Sequence, residues 1–444
     1  MPRLRLPHPL ALLLGCVLVA AVLTHLLPPG QYDRREDPAT GRQVVVAGTY
    51  HRLDSAPVGP FAAFVAVPAG MVAAAEVIVL ILLVGGAWTV VDKAGTLGRM
   101  VDWLVARFGQ RRYLVIAILS VAFAAGGALE NMQEEIIPLI PVLLVLARAL
   151  GFDAVTVVAM SAGAAMVGSA FSPLNPFQAV IALKLAQLPL LSGVMLRTGM
   201  LLVAVVAWIW WTIRYARGTW GEPSEPGPGG RGPFGRRHGV ILLLVVAPFA
   251  AYIVGVLKFG WGFNELSAAF LIAGIAIGLV AGLGLQGTVD AYLEGIRSVV
   301  GAAVLVGVAR SISLVLDQGR VIDTILQDLV VPLADAPRSV APLLMIPAQA
   351  LIHIPVSSVS GQAVLTMPVL IPVSDLLGFS RQATVLAYQT GAGLTELWTP
   401  TNGALMAIAL AAGAPFGKWL RFVWPMVLAL TLVGIAGILL SLNG

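Results

Sequence analysis

Cysteine is almost absent. Cys16 is the single thiol in 444 residues, so neither a disulfide framework nor a thiolate metal centre can be built. Histidine is scarce as well: His8, His25, His51, His238 and His353 are dispersed, with no HExxH or similar ligand spacing. Charge is the third shortage. Asp, Glu, Lys and Arg make up 11% of the chain, where a soluble globular protein carries about a quarter. These gaps argue against a soluble domain, a disulfide scaffold and a metalloenzyme.

What is abundant is apolar. Hydrophobic residues make up 58% of the chain and the mean hydropathy is +0.92. Stretches near the roughly 20-residue membrane-spanning length recur from end to end. They are continuous, whereas a β-barrel would alternate. The 48 Gly and 29 Pro suit closely packed, interrupted membrane helices. The expected fold is therefore an all-α polytopic membrane protein whose main partner is the lipid bilayer. The net charge of +5 sits in short loops, where it sets orientation rather than nucleic-acid binding.

One stretch occurs twice. Residues 141–183 align without a gap on residues 368–410, an offset of 227, with 13 of 43 positions identical. The shared set includes Leu150-Gly151-Phe152 with Leu377-Gly378-Phe379, and Pro173-x-Asn175 with Pro400-x-Asn402. This is an internal duplication. Leu83-Val84-Gly85 and Leu305-Val306-Gly307 mark a further equivalent pair. The polar stretch after the first, Asp92–Arg112, has a net charge of +3, and the one after the second, Asp317–Arg338, has −2. Opposite charge at equivalent positions places the two stretches on opposite sides of the membrane, so the repeats are expected to be inverted.

Along the chain, Arg3 and Arg5 precede the apolar run Leu10 to Leu27. No small-x-small cleavage site follows, so a retained helix with a cytoplasmic N-terminus is expected over a signal peptide. Residues 28–60 form a polar loop, with a short hairpin arm expected at Gln43–Tyr50. Phe61 to Ala75 is interrupted by Pro and Gly and reads as interfacial or re-entrant. A Trp-rich helix is expected at Thr198–Ile213, and Trp208, Trp210, Trp211, Trp419 and Trp424 read as interfacial belt residues. The Pro-, Gly- and Arg-rich segment 214–238 is a cytoplasmic flexible linker. It divides a first membrane half, 1–213 (first repeat about 77–213), from a second, 239–444 (second repeat about 298–442).

Several motifs resemble the C4-dicarboxylate anaerobic carrier family, in its YfcC-type branch, within the ion transporter superfamily. They are LLPPGQYDR, VAGTYH, GGALENMQEE, SPLNPF, GVARSISLVLDQGRVIDTIL, SVSGQAVLTMP and GFSRQATVLAYQTGAGLTELWTPTNG. The resemblance runs end to end and implies an inner-membrane secondary transporter, a basic amino acid antiporter among the expectations. It implies two inverted repeats, each with a re-entrant hairpin and an interrupted helix, working by an elevator motion. It also brings the expectation of a homodimer. Where relatives read Gly-Asp-Gly-x-Ser/Thr-Asn, this chain has Gly391-Ala392-Gly393-Leu394-Thr395-Glu396, so a carboxylate is lost at 392 and gained at 396.

The candidate site follows from the breaks. Proline removes a backbone donor and clashes with the preceding turn, and broken backbone at membrane depth must line a cavity or water. Half-helix ends can hold a carboxylate by N–H or a cation by C=O. Asn175 and Asn402, with Ser172, Thr399 and Thr401 beside them, are therefore the first substrate-binding candidates, with a Na⁺ site near the two Asn in view. The cluster Glu130-Asn131-Met132-Gln133-Glu134-Glu135 is costly within a membrane segment. On a helix, Glu130 and Glu134 would share a face. Glu134 and Glu135 are expected to bind substrate, and Glu130, Glu396 and Thr395 to couple an ion. The equivalent segment of the second repeat supplies Ser358, Ser360, Gly361 and Gln362 as a hairpin tip. His353 reads as a packing residue.

These readings lead to a secondary active transporter of a small carboxylate-bearing metabolite, an amino acid or a C4-dicarboxylate. A Na⁺ or H⁺ gradient or exchange would drive it, with no cofactor. The acidic surplus and the lack of Arg in the hairpin tips favour an amino-bearing or basic substrate. A channel or structural subunit is the alternative. A membrane-embedded hydrolase is weaker still, because no nucleophile–base pair is spaced for it.

Overall fold

The computed structural model describes residues 7–55, 57–100, 111–222, 235–259 and 261–442. Part of the basic stretch after the second long apolar helix, most of the linker and the charged extreme N-terminus lie outside those residues. Among the described residues, eight helices are long and apolar enough to cross a membrane. In chain order the first helices are α1 (Pro9–Leu26), α2 (Pro60–Ala73), α3 (Ala75–Lys93), α4 (Arg112–Glu130) and α5 (Ile140–Leu150). Next come α6 (Ala154–Ala170) and α7 (Pro176–Leu185). The rest are α8 (Val194–Thr219), α9 (Arg236–Phe259), α10 (Phe263–Val280), α11 (Gly284–Gln318), α12 (Ile322–Val330), α13 (Ala341–His353), α14 (Val359–Leu377), α15 (Arg381–Thr395), α16 (Gly403–Ala412) and α17 (Phe416–Ser441).

The exception to the helical pattern is the polar arm between α1 and α2. Strand β1 (Gly30–Gln31) pairs antiparallel with β4 (His51–Arg52), and β2 (Arg34–Asp37) with β3 (Arg42–Val45). The hairpin thus spans residues 34–45 and shares only 43–45 with the expected Gln43–Tyr50. The turn-forming residues are Asp37, which accepts from Thr40 N, and Gly41, at φ +65, a conformation open to glycine at little steric cost. The arm is fastened to α12: Asp323 accepts from Tyr32 N at 2.9 Å and pairs with Arg34 at 2.9 Å, while Tyr50 bonds Thr324 at 2.9 Å.

The 35-residue α11 is the longest element, and small residues let its neighbours approach closely. A Cβ on Gly70 of α2 would lie 2.5 Å from the Gly307 carbonyl oxygen; one on Gly403 of α16 would lie 2.9 Å from Ala309 Cβ. The same device seats α4 against α6, where a Cβ at Gly127 would meet the Ala165 oxygen at 1.9 Å and one at Gly168 the Ala124 oxygen at 2.0 Å. Without a hydrophobic drive between helices in lipid, such backbone approach supplies the packing energy.

Both predicted breaks are present. The chain leaves helix after Ala170 and re-enters it at Pro176, and again after Thr395 and at Gly403. The capping residues recur at the offset of the duplication. Gly151 and Gly378 close α5 and α14 in the left-handed conformation, at φ +79 and +73. Asp153 and Ser380 cap α6 and α15 by accepting from Thr156 N and Ala383 N, and Asn175 and Asn402 cap the helices after the breaks.

Two readings of the sequence are corrected here. The Trp-rich helix continues to Thr219, so the first residues of the expected linker are helical. Arg214 stacks over Trp210 and Arg217 over Tyr113, which holds the last turns in place. Trp208 and Trp419 are not belt residues. Both are buried, donate to the Ala159 and Leu397 carbonyls, and close on Gly163, which has no side chain in their way.

Candidate functional site

A cavity of about 280 Å³ opens where the second break meets the turn after α4 and the turn before α14. Gln133, Glu134, Ser358, Ser360, Glu396, Thr401 and Asn402 line it. Its volume is just below the roughly 300 Å³ at which drug-sized ligand sites begin, which fits a small metabolite.

The first turn is built by a change of backbone hand. Helix α4 stops at Glu130 because Asn131 turns left-handed at φ +57, and a 3₁₀ turn, Glu134–Leu139, follows. Glu130 and Glu134 are therefore not on one helical face, contrary to the helical reading. Glu134 reaches the cavity wall. Glu135 instead folds back to accept from Gln133 N at 3.1 Å. Glu130 is half-buried at the end of α4.

Residues 131–133 clamp both breaks at once. Asn131 accepts from the Ser169 hydroxyl. Gln133 donates to Glu396 Oε2 at 2.7 Å and accepts from Asn402 Nδ2 at 3.1 Å. The two breaks also touch each other: Gln389 Nε2 on α15 donates to the Ser172 carbonyl at 2.9 Å. A Cβ on Gly393 would come within 2.7 Å of Ala170.

The two Asn residues differ despite their matched positions. Asn402 caps α16 by accepting from Leu405 N at 3.2 Å and still faces the cavity. Asn175 is buried and its amide is fully committed. Its Oδ1 accepts from Phe177 N and Gln178 N at 2.9 Å each, and its Nδ2 donates to the Gly127 carbonyl at 2.8 Å and to Ser169 at 3.2 Å. Ser172 is likewise spent on the Ala128 carbonyl and on the N–H groups of Leu174 and Asn175. Thr399 and Thr401 bond each other at 2.7 Å. Thr395 donates to the Gly391 carbonyl of its own helix at 2.7 Å.

On the second turn, Ser358 caps α14 by accepting from Gly361 N at 3.3 Å. Ser358, Ser360 and Gly361 also line a neighbouring cavity of about 320 Å³, reached by Arg34 and Arg42 of the polar arm. Gln362 points into the protein, donating to the Gln349 carbonyl at 2.7 Å and meeting His353 Nδ1 at 2.7 Å.

Two side chains join the site that the sequence did not single out for it. Arg310, in the C-terminal third of α11, lines both cavities. It sits in an apolar helix far from either tip, and its one sequence signal is a basic residue inside a spanning stretch. His353 is fully buried, with Nε2 3.9 Å from Glu396 Oε1. Its role as a packing residue is therefore incomplete, because that nitrogen has no hydrogen-bond partner among the described residues.

The eight apolar helices and the interrupted backbone define a multi-pass helical membrane protein. The chain belongs to the C4-dicarboxylate anaerobic carrier family, a family of membrane transporters, whose model matches residues 6–443. Among its relatives, an uncharacterised protein of Haemophilus influenzae is 30% identical over 413 residues, covering 88% of this chain and 80% of that one. The Escherichia coli protein named "Putative basic amino acid antiporter YfcC" is 28% identical over 470 residues, covering 94% of this chain and 93% of its own. Among solved structures, the Alcanivorax borkumensis YdaH transporter is similar at 19% identity and a TM-score of 0.43, over 97% of this chain and 98% of that one. Neisseria gonorrhoeae MtrF, described as an antimetabolite efflux pump, is similar at 18% identity and a TM-score of 0.41, over 98% and 95%.

Proposed function

We propose that this chain is a secondary active transporter of a small carboxylate-bearing metabolite, an amino acid (basic ones included) or a C4-dicarboxylate. The mixed charge of one small cavity carries the reading, with Arg310 and the carboxylates of Glu134 and Glu396 on its walls. A guanidinium holds a carboxylate through paired N–H donors, and a carboxylate holds an ammonium group. An amino acid offers both groups, so it matches the wall charges better than a plain dicarboxylate does. The relative named as a basic amino acid antiporter agrees with that preference.

Asn402, Thr401, Ser358 and Ser360 complete the proposed substrate contacts, while Asn175, Ser172, Thr399, Gly361 and Gln362 hold the surrounding backbone. Glu135, Glu130 and Thr395 belong to the same assembly. Na⁺, H⁺ or exchange supplies the driving force.

The halves 1–213 and 239–444 are read as carrying two inverted repeats, each with a re-entrant hairpin, joined by the cytoplasmic linker 214–238. Support comes from the capping residues repeated at the offset of 227 and from the opposite charge of equivalent polar stretches. In this reading the bundle that bears both breaks moves as an elevator. The protein lies in a bacterial inner membrane with its N-terminus cytoplasmic.

Uptake into proteoliposomes tests the function. Radiolabelled L-arginine, L-ornithine, succinate and fumarate are each offered under a Na⁺ gradient, a pH gradient and counterflow. Saturable uptake with counterflow is expected for one of the two classes. Unsaturable flux without counterflow would show a channel, and no flux of any of the four solutes would end the proposal.

A further inference from the structure

The unpartnered His353 nitrogen can be given a chemical state from its surroundings. The Gln349 carbonyl oxygen can only accept, so the Gln362 group 2.7 Å from it must be the amide NH₂. Gln362 Oε1 then faces His353 Nδ1 at 2.7 Å, and an oxygen there requires that Nδ1 carry the hydrogen. In the neutral ring Nε2 is a bare lone pair, and it faces Glu396 Oε1 at 3.9 Å.

The other side of Glu396 is polarised in the same way. Leu405 N–H donates to Asn402 Oδ1, Asn402 Nδ2 donates to Gln133 Oε1, and Gln133 Nε2 donates to Glu396 Oε2. Two backbone groups thus orient two chains of amides that converge on one gap. An acceptor stands on each side of it, and His353 is 0% exposed and Glu396 5%. Two facing acceptors at this burial are unfavourable, and a proton on either one relieves the pair.

We propose that the His353–Glu396 pair is the coupling-proton site of this transporter, one proton binding per cycle between Nε2 and Oε1. The proton comes from water on one side of the membrane and returns to water on the other. No other bond is made or broken. The inference rests on the transporter reading above and names its driving ion.

The charged and titratable groups around the pair come from several elements. Glu134 of the 3₁₀ turn acts electrostatically on Glu396, and Glu396 in turn on Tyr388 of α15. The Tyr388 hydroxyl is held by the Val359 carbonyl at 2.6 Å. Arg310 of α11 shares the cavity wall. A cationic substrate in that cavity would compete with the proton for Glu396, which is the linkage an antiporter needs.

Infrared difference spectroscopy across a pH ramp, on full-length protein in lipid nanodiscs, reads the pair without a substrate. A carboxyl band that titrates is expected. Glu396→Gln should remove it. His353→Asn keeps a donor for Gln362 but has nothing in place of Nε2, and should displace the midpoint by about one pH unit or more. His353→Gln tests the reverse, reach without the Nδ1 donor. An unchanged band and midpoint in folded Glu396→Gln and His353→Asn overturn the proposal.

In proteoliposomes, L-arginine or succinate uptake should respond to an imposed pH gradient. Glu396→Gln should abolish that response. Accumulation driven by Na⁺ alone and indifferent to the pH gradient overturns the proposal while leaving the transporter reading intact. A titrating band with no flux of either solute would count against the transporter reading and support the proton site alone.

Discussion

Gln133 donates to Glu396 at 2.7 Å although 263 positions of chain separate them. The same amide accepts from Asn402, so one neutral side chain from the first turn holds both the carboxylate and the cap of the second break. A hydrogen bond to a charged group is worth about 1.5–3 kcal/mol.

Replacing that amide should therefore be costly. Gln133→Leu is expected to lower the thermal transition of the purified protein and to cut transport about ten-fold or more, the rate equivalent of roughly 1.4 kcal/mol. Scanning fluorimetry together with uptake checks this. Wild-type uptake in a stably folded Gln133→Leu protein would show that the bridge has no part in transport.

The Arg310 guanidinium should set carboxylate affinity. Arg310→Ala is expected to raise the KM for the transported solute about ten-fold or more, with partial recovery in Arg310→Lys. Lysine keeps the charge but loses the paired donors. Equal KM values in all three proteins would remove Arg310 from the site.

The two Asn caps should separate stability from transport. Asn175→Ala removes a cap whose amide is wholly engaged within the fold, at a cost of about 1–2 kcal/mol, and should appear mainly as a lower Tm. Asn402→Ala should appear mainly as lost transport, since Asn402 faces the cavity and steadies Gln133. The ratio of the two effects, measured on both variants, decides the matter.

Close helix packing predicts intolerance at Gly127. A methyl there would lie 1.9 Å from the Ala165 oxygen, which is backbone and cannot rotate away. Gly127→Ala should destabilise by about 3 kcal/mol. Gly199→Ala, on a helix surface with nothing within 4 Å, should be tolerated. Comparing the detergent-solubilised yields and Tm of the two tests the contrast.

The polar arm should be sensitive to strong alkali. Burial first, then Asp323, Tyr50 and Asp328, push the Tyr32 phenol from 10.0 up to about 12. A raised folded pKa means that the neutral phenol's contribution to docking is complete below pH 10 and is lost as pH rises through about 12. Limited proteolysis of residues 30–52 against pH should show release in that window. In Tyr32→Phe that alkaline step should be missing.

Much of this protein is legible without coordinates. Hydropathy and the charge shortage are local and additive, so they define the membrane class directly. Proline acts on its own turn of helix, so both breaks could be placed from sequence. Capping is also local, which is why Gly151, Gly378, Asn175 and Asn402 recur in register. Glu396 was legible because a carboxylate in an apolar stretch is expensive wherever it falls.

Which way those side chains point was decided by tertiary structure alone. Helix ends far apart in sequence must meet before Gln133 can reach Glu396, before α11 can turn Arg310 into the cavity, and before α13 can bring His353 to the same carboxylate. The burial of Asn175 and the exposure of Asn402 to the cavity come from the same cause. Residues matched at an offset of 227 receive different neighbours, because α4 closes over the first break and the turn at 131–133 opens beside the second. Local sequence sets where the chain breaks, and packing between distant helices sets what each break can hold.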